Sequence, residues 1–300
     1  MLKRLKKTYG SSFITSIPAG SSKDYIWFQT DQKETFGLLR SAITDQEKKL
    51  LSTLFHRIFL PEQKELSSAE MNWYGYLFRD QPLRNAKHSI SVQPHFLRLS
   101  HSIEEQDELK SAIKGFFEDA VILWTDNQQI LILQPDPIEP LSGADRKELT
   151  DAITGDFLVN CFLYSGQLHK LDNHVKVKIQ AEQMIFKWLG NLPLFNNNPS
   201  SFYHSLPLLI SAAPHTVSAE ALSELVVEAL ADKEILRTIR TYFECDLNAS
   251  LAAKKLFIHR NSLQYRIDKF IEKTGIDIRH FQEAAAVQMI QSILLTSRLS

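Results

Sequence analysis

Asn248-Ala-Ser-Leu-Ala-Ala-Lys-Lys-Leu-Phe-Ile-His-Arg-Asn-Ser-Leu-Gln-Tyr-Arg-Ile-Asp-Lys-Phe-Ile-Glu-Lys-Thr-Gly275 is the stretch that decides the C-terminal fold. Asn248 is a residue type whose side chain caps helix starts. Leu251, Ala252, Ala253 and Leu256 follow, with small residues where a second helix must approach closely. Phe257-Ile258-His259 leaves room only for a tight turn. A second helix then runs to Thr274, where Gly275 supplies a C-terminal stop. Two short helices joined in this way make a helix-turn-helix.

At about 100° per residue, Leu263, Ile267, Phe270 and Ile271 fall on one side of the second helix and would pack on the first. Asn261, Gln264, Tyr265, Asp268, Lys269 and Glu272 point away, with His259, Arg260 and Ser262 at the helix start. Arg, Asn and Gln pair bidentately with purine edges in the major groove, whereas Ser, Tyr and Lys more often hold phosphates. Arg260, Asn261 and Gln264 are therefore the expected base readers. Lys254, Lys255, Arg260, Arg266 and Lys269 are the expected source of phosphate neutralisation. Asp268 and Glu272 would repel phosphates if the helix lay lengthwise in the groove, so entry is expected through its N-terminal half, which also aims the helix dipole at phosphate.

The charge distribution agrees. The formal net charge is −1, yet residues 235–300 carry ten Lys/Arg against six Asp/Glu, a balance of +4 that leaves −5 on the rest. A basic segment on an acidic body fits a nucleic-acid-binding module attached to something else, although a solvated helix face produces the same local excess. An apolar share of 44% and a charged share of 23% over 300 residues describe a globular protein of two or three domains. No apolar run approaches the roughly 18 residues that span a bilayer, and the basic start Met1 to Lys7 is followed by polar residues rather than a signal-peptide core, so the expected location is cytoplasmic, with no membrane partner. Cys161 and Cys245 belong to no disulfide or metal pattern and read as inert buried thiols. The spacing of His88, His95 and His101 matches no metal site.

Further upstream, Tyr25 to Phe28 and Gly37 to Leu39 read as strands about a polar turn. Thr44 and Glu47 have capping-box spacing ahead of Leu50, Leu51, Leu54, Phe55 and Ile58, a helical stripe that should stop at Pro61. From Ser91 the order becomes strand (Phe96 to Leu99), helix (Glu104 to Phe117), two strands (Ala120 to Trp124, Ile130 to Leu133), helix (Asp145 to Ile153), strand (Phe157 to Tyr164) and helix (Val175 to Leu189). This β-α-β-β-α-β order is the ferredoxin-like split arrangement. Residues 190–218 hold four prolines and Asn196 to Asn198, linker chemistry with one short helix inside. Everything after reads helical, ending in a stripe of Val287, Ile290, Ile293 and Leu294 that is either core or a dimerisation face.

The pattern His259 to Ile267, with Thr274-Gly275-Ile276-Asp277, resembles the C-terminal helix-turn-helix of the PucR family, which includes the CdaR sugar-diacid regulators. The likeness covers about Ile235 to Leu295. It implies DNA-facing positions at His259, Arg260, Ser262, Gln264 and Tyr265, and regulation of transcription, often as a homodimer. It also implies a degenerate GGDEF-like central domain. The turn where a cyclase signature would sit is Thr125-Asp126-Asn127-Gln128-Gln129, without a glycine pair or adjacent acids for Mg²⁺, so cyclase activity is not expected. Residues 1–85 do not match the family's sugar-diacid sensing domain.

The expected organisation is thus α+β and multidomain: a small N-terminal α/β region at 1–85, a central ferredoxin-like, degenerate GGDEF-like domain at 86–190, a linker at 191–218 and an all-α helix-turn-helix domain at 219–300. The expected function is sequence-specific regulation of transcription on double-stranded DNA, with a small-molecule effector sensed upstream, self-association as a homodimer and no cofactor. An enzyme is disfavoured, because no phosphate-cradling glycine loop, paired metal-binding acids or nucleophile motif is present. The rival is an interaction protein whose helix pair binds protein.

Overall fold

The computed structural model describes all residues except 1, 16–23, 31–33, 59–65, 84–89, 118, 139–140, 196–197, 213–220 and 297–300. Pro61, Pro214 and His88, which figured in the expectations above, lie outside the described residues. Contacts divide the chain into two compact units, Met1–Leu83 with Leu123–Ile130, and Arg84–Ile122 with Leu131–Ser300.

The first unit holds α1 (Leu2–Tyr9), β1 (Phe13–Ile14), β2 (Tyr25–Gln29), β3 (Thr35–Leu39), α2 (Asp45–Leu54), β4 (His56–Ile58) and α3 (Ser68–Phe78). Its sheet runs β1-β3-β2-β4, with β2 antiparallel to both neighbours. Phe13, Ile26, Phe28, Phe36, Leu38, Leu51 and Phe55 form the core, and burying so many large apolar side chains is what holds a short-stranded sheet together. The Thr44/Glu47 capping box forms as its spacing predicts. The helix, however, stops at Leu54. Phe55 is extended and residues 56–58 pair with the edge of β2, so Ile58 belongs to a strand and not to the helical stripe. Leu50 and Leu54 point outward, at 60% and 52% exposure, leaving Leu51 and Phe55 to reach the core.

Next come β5 (Ser91–Leu99), α4 (Gln106–Phe116), β6 (Val121–Trp124), β7 (Gln129–Pro135), α5 (Gly143–Phe157), β8 (Cys161–Ser165), β9 (His169–Lys170), α6 (Val175–Leu189), β10 (Ser200–Ser201) and α7 (Phe202–Ala212), all in the second unit except the hairpin tip Leu123–Ile130. The sheet order is β10-β8-β5-β7-β6, with β9 also on β5. Central β5 is buried along nearly its whole length. Pro94 cannot donate to a ladder, and it sits where β5 changes partner, from β9 at Ser91 and Val92 to β8 from His95 onward. Phe157, expected in a strand, is the last residue of α5, and the strand begins at Cys161. Both cysteines are buried and unpaired.

The stretch expected as linker contains β10, which pairs parallel with β8, and the well-buried helix α7, which packs on the last helix. Pro207 lies inside α7 without ending it. The short helix expected inside this stretch is α7, whose Phe202, Leu206 and Leu209 are fully enclosed.

The chain closes with α8 (Glu224–Ala231), α9 (Lys233–Glu244), α10 (Ala249–Leu256), α11 (Arg260–Thr274) and α12 (Phe281–Thr296). Val287 and Ile290 of the terminal stripe are buried, and α12 lies on α7.

Candidate nucleic-acid interface

Asn248 caps α10, its side-chain oxygen accepting from the Leu251 N–H at 3.1 Å. Ala252 and Ala253 are buried, which lets α11 come close, whereas Leu251 is exposed. At the turn Phe257 takes a left-handed conformation (φ 58), and the N–H groups of Phe257 and Ile258 bond back to the carbonyls of Lys254 and Ala253 at 3.2 and 3.0 Å. This is a Schellman closure with a phenylalanine where glycine is usual, and the ring is 93% exposed. Sequence reasoning had no signal for that conformation.

His259 then opens α11 as its cap, Nδ1 accepting from the Asn261 N–H at 3.2 Å. Gly275 closes the helix at φ 69, its N–H bonded to the Ile271 carbonyl at 2.7 Å. Leu263, Ile267, Phe270 and Ile271 are buried, as the spacing predicts.

The outward face carries His259, Arg260, Asn261, Ser262 and Tyr265, all exposed, together with Lys254 from α10 and Lys269 further along α11. Gln264 is half-buried and donates to Asp268 at 2.9 Å. Asp268 and Glu272 lie on the exposed side of the second half of α11. The first two turns are thus polar and basic, and the acids come later.

Two of the residues expected to neutralise phosphates make ion pairs to α9. Arg266 turns to α9, with NH2 2.6 Å from Glu234 Oε1 and NH1 donating to Thr238 Oγ1 at 3.2 Å. Lys255 holds Glu244 at 2.5 Å, and that hydrogen bond lowers the Glu244 carboxyl and raises the lysine. Neither tie was legible, because the partners lie on a helix whose register against α10 and α11 the sequence does not announce. Among the described residues no group of three His, Cys, Asp or Glu could hold a metal ion, and no helix is long and apolar enough to cross a membrane.

The geometry defines a helix-turn-helix protein, with α10 and α11 as the pair and α8 and α9 bracing the second helix. Residues 235–290 match the family described as the PucR C-terminal helix-turn-helix domain, and this segment of the chain is a domain of that type. Among relatives, the uncharacterised protein YxkF of Bacillus subtilis (strain 168) is 25% identical over 296 residues, covering 96% of this chain and 97% of its own. The carbohydrate diacid regulator of Escherichia coli (strain K12) is 38% identical over 47 residues, 16% of this chain and 12% of that protein. The proline-responsive transcriptional activator PutR of Bacillus subtilis (strain 168) is 41% identical over 49 residues, again 16% of this chain and 12% of its own length. The likeness to the two named regulators is thus confined to a short segment.

Proposed function

We propose that the chain is a sequence-specific DNA-binding regulator of transcription, acting in the cytoplasm, in which α11 enters the major groove by its N-terminal half. The observation that carries this reading is the division of α11 itself. Its apolar residues are buried against neighbouring helices, while His259, Arg260, Asn261, Ser262 and Tyr265 stand exposed with no packing duty beyond the His259 cap. Arg260, Asn261 and Gln264 read bases, and Lys254, Arg260 and Lys269 hold phosphates. The PucR-type domain and the regulators among the relatives support the same reading.

Recognition of paired half-sites requires two such helices, so the regulator acts as a homodimer. The central sheet serves as a non-catalytic, ferredoxin-like and GGDEF-like module that senses a small molecule. In support, β8-β5-β7-β6 is the fourth, first, third and second strand of its own β-α-β-β-α-β run. At the turn where a cyclase signature would stand, Asp126 accepts from the Gln128 N–H and from Gln129 Nε2, both at 2.7 Å, and so closes its own turn.

A mobility-shift titration against DNA from the chain's gene neighbourhood, at two salt concentrations, tests the reading. Specific, salt-sensitive binding that is lost in an Arg260→Ala, Gln264→Ala double variant is expected. Absence of specific binding at both salts would transfer the helix pair to protein recognition.

A further inference from the structure

The second unit holds a small, partly open cavity of about 40 Å³ between its sheet and the residues that follow α11. Gln93 of β5, Ser165 of β8, Arg146 of α5 and Tyr203 of α7 line it on one side, and Asp277 and Glu283 on the other. Gln93, Arg146 and Tyr203 are 5%, 4% and 5% exposed. Each nevertheless leaves a polar atom without a hydrogen-bond partner among the described residues: Gln93 Oε1, Arg146 Nε and Tyr203 OH. Buried polar atoms are nearly always paired, so three orphans around one cavity mark a place that a ligand completes.

The chemistry of the orphans defines that ligand. Arg146 Nη1 donates to the Leu141 carbonyl and Nη2 lies 3.4 Å from His204 Nδ1, so its hydrogen-bond contacts are neutral, and the Glu283 and Asp145 carboxylates act on it only through space. The nearby acids are already engaged, Asp277 by Arg279 at 2.6 and 2.7 Å and Glu283 by His204 Nε2 at 2.9 Å. A buried cation with a spare N–H, on a residue lining the same cavity as a tyrosine with a spare hydroxyl, suits a carboxylate. Gln93 Oε1 is an acceptor and asks for a donor on the same molecule. That volume holds roughly three water-sized groups and the cavity is partly open, which suits the polar end of a small ligand.

We propose that this cavity binds a short 2-hydroxy or 2-amino carboxylate, its carboxylate on Arg146 and Tyr203 and its hydroxyl or amino group on Gln93. Asp277, on the cavity wall, lies two residues beyond Gly275, the stop of α11, so a ligand held by Arg146, Tyr203 and Gln93 sits against the end of the helix that reads DNA in the function proposed above. That coupling rests on the regulator function proposed above; binding itself does not.

Calorimetric titration of the full chain, without DNA, against glycolate, lactate, glycine and serine tests the site, with lactamide and glycinamide as neutral controls. Saturable binding of at least one carboxylate and none of its amide is expected. Tyr203→Phe removes a hydroxyl with no protein partner, so it keeps the fold while weakening binding by about tenfold or more, and Arg146→Lys weakens it further. No saturable binding by any of the four acids, or equal affinity in wild type and both variants, overturns the site. A site that binds its acid in a protein that ignores DNA would leave the cavity standing and remove the regulator; DNA binding without acid binding would do the reverse.

Discussion

Arg266 Nη2 lies 2.6 Å from Glu234 Oε1, so a basic residue in the middle of α11 is tied to α9 and is not presented outward. Glu234 is 69% exposed, and ion pairs of that kind contribute about 0 to 1 kcal/mol. Arg266→Ala should therefore lower thermal stability slightly and leave the salt dependence of DNA binding unchanged. Arg260→Ala should weaken specific binding by about 1 to 3 kcal/mol and reduce the salt slope by about one unit. Binding isotherms over a salt series check the pair, and an equal fall in slope for both variants would put Arg266 back on the phosphates.

His259 serves as the cap of α11 through Nδ1 and still stands exposed at the helix start. Loss of a cap costs about 1 kcal/mol, and asparagine restores it. His259→Ala should lower stability by about that amount, and His259→Asn should recover it. If the imidazole also touches DNA, the asparagine variant will be stable yet weaker on the operator. Full recovery of binding in His259→Asn would confine the residue to its cap.

The sequence is most legible where its signals are local. The cap at Asn248, the stop at Gly275, the buried stripe from Leu263 to Ile271 and the bounds of α6 all follow from spacing within one element. It is least legible where a distant neighbour decides. Ile58 lies at helical spacing but pairs with β2, because an open sheet edge offers a segment after Phe55 more than another helical turn would. The prolines of 193–214 suggested a linker, yet α7 is enclosed by side chains that come from the end of the chain. In the candidate interface the residue types were readable, whereas the ion pairs of Arg266 and Lys255 depended on Glu234 and Glu244 of another helix.

Gly166 follows β8 where a side chain has no room. A Cβ there would lie 2.9 Å from Pro94 Cγ and 3.1 Å from both the Pro94 carbonyl oxygen and Glu182 Cδ. Pro94 is fixed in the central strand, and Glu182 is held by the Tyr164 hydroxyl at 2.5 Å and the Gln167 N–H at 3.0 Å, so neither neighbour gives way easily. Gly166→Ala should destabilise the second unit by about 1 to 3 kcal/mol, the usual cost of overpacking. Denaturant unfolding monitored on this variant checks the value, and wild-type stability would mean that the Pro94 strand shifts freely.

His95 lies wholly inside the second unit, with Nδ1 2.9 Å from Ser165 Oγ and Nε2 3.2 Å from Gln134 Oε1. Burial pushes its pKa down to about 3; the Gln134 hydrogen bond raises it in part and the Arg146 charge lowers it further. The unfolded chain takes up a proton near pH 6.5 that the folded chain refuses, so stability is fully present above that value and falls with acidification from about 6.5 toward 3. The slope approaches about 1.4 kcal/mol per pH unit. Glu182 acts lower down. Burial raises its pKa, but His169, Tyr164 and the Gln167 N–H together hold it below 4.5, so its contribution persists above 4.5 and is lost as pH falls beneath it. The interval between about 4.5 and 6.5 therefore belongs to His95. His95→Asn should be less stable than wild type at neutral pH and should lose much less stability across that interval. Parallel stability curves for the two proteins from pH 7 to 4.5 would mean that the ring titrates normally in the folded state, and that the Ser165 and Gln134 contacts do not hold it neutral.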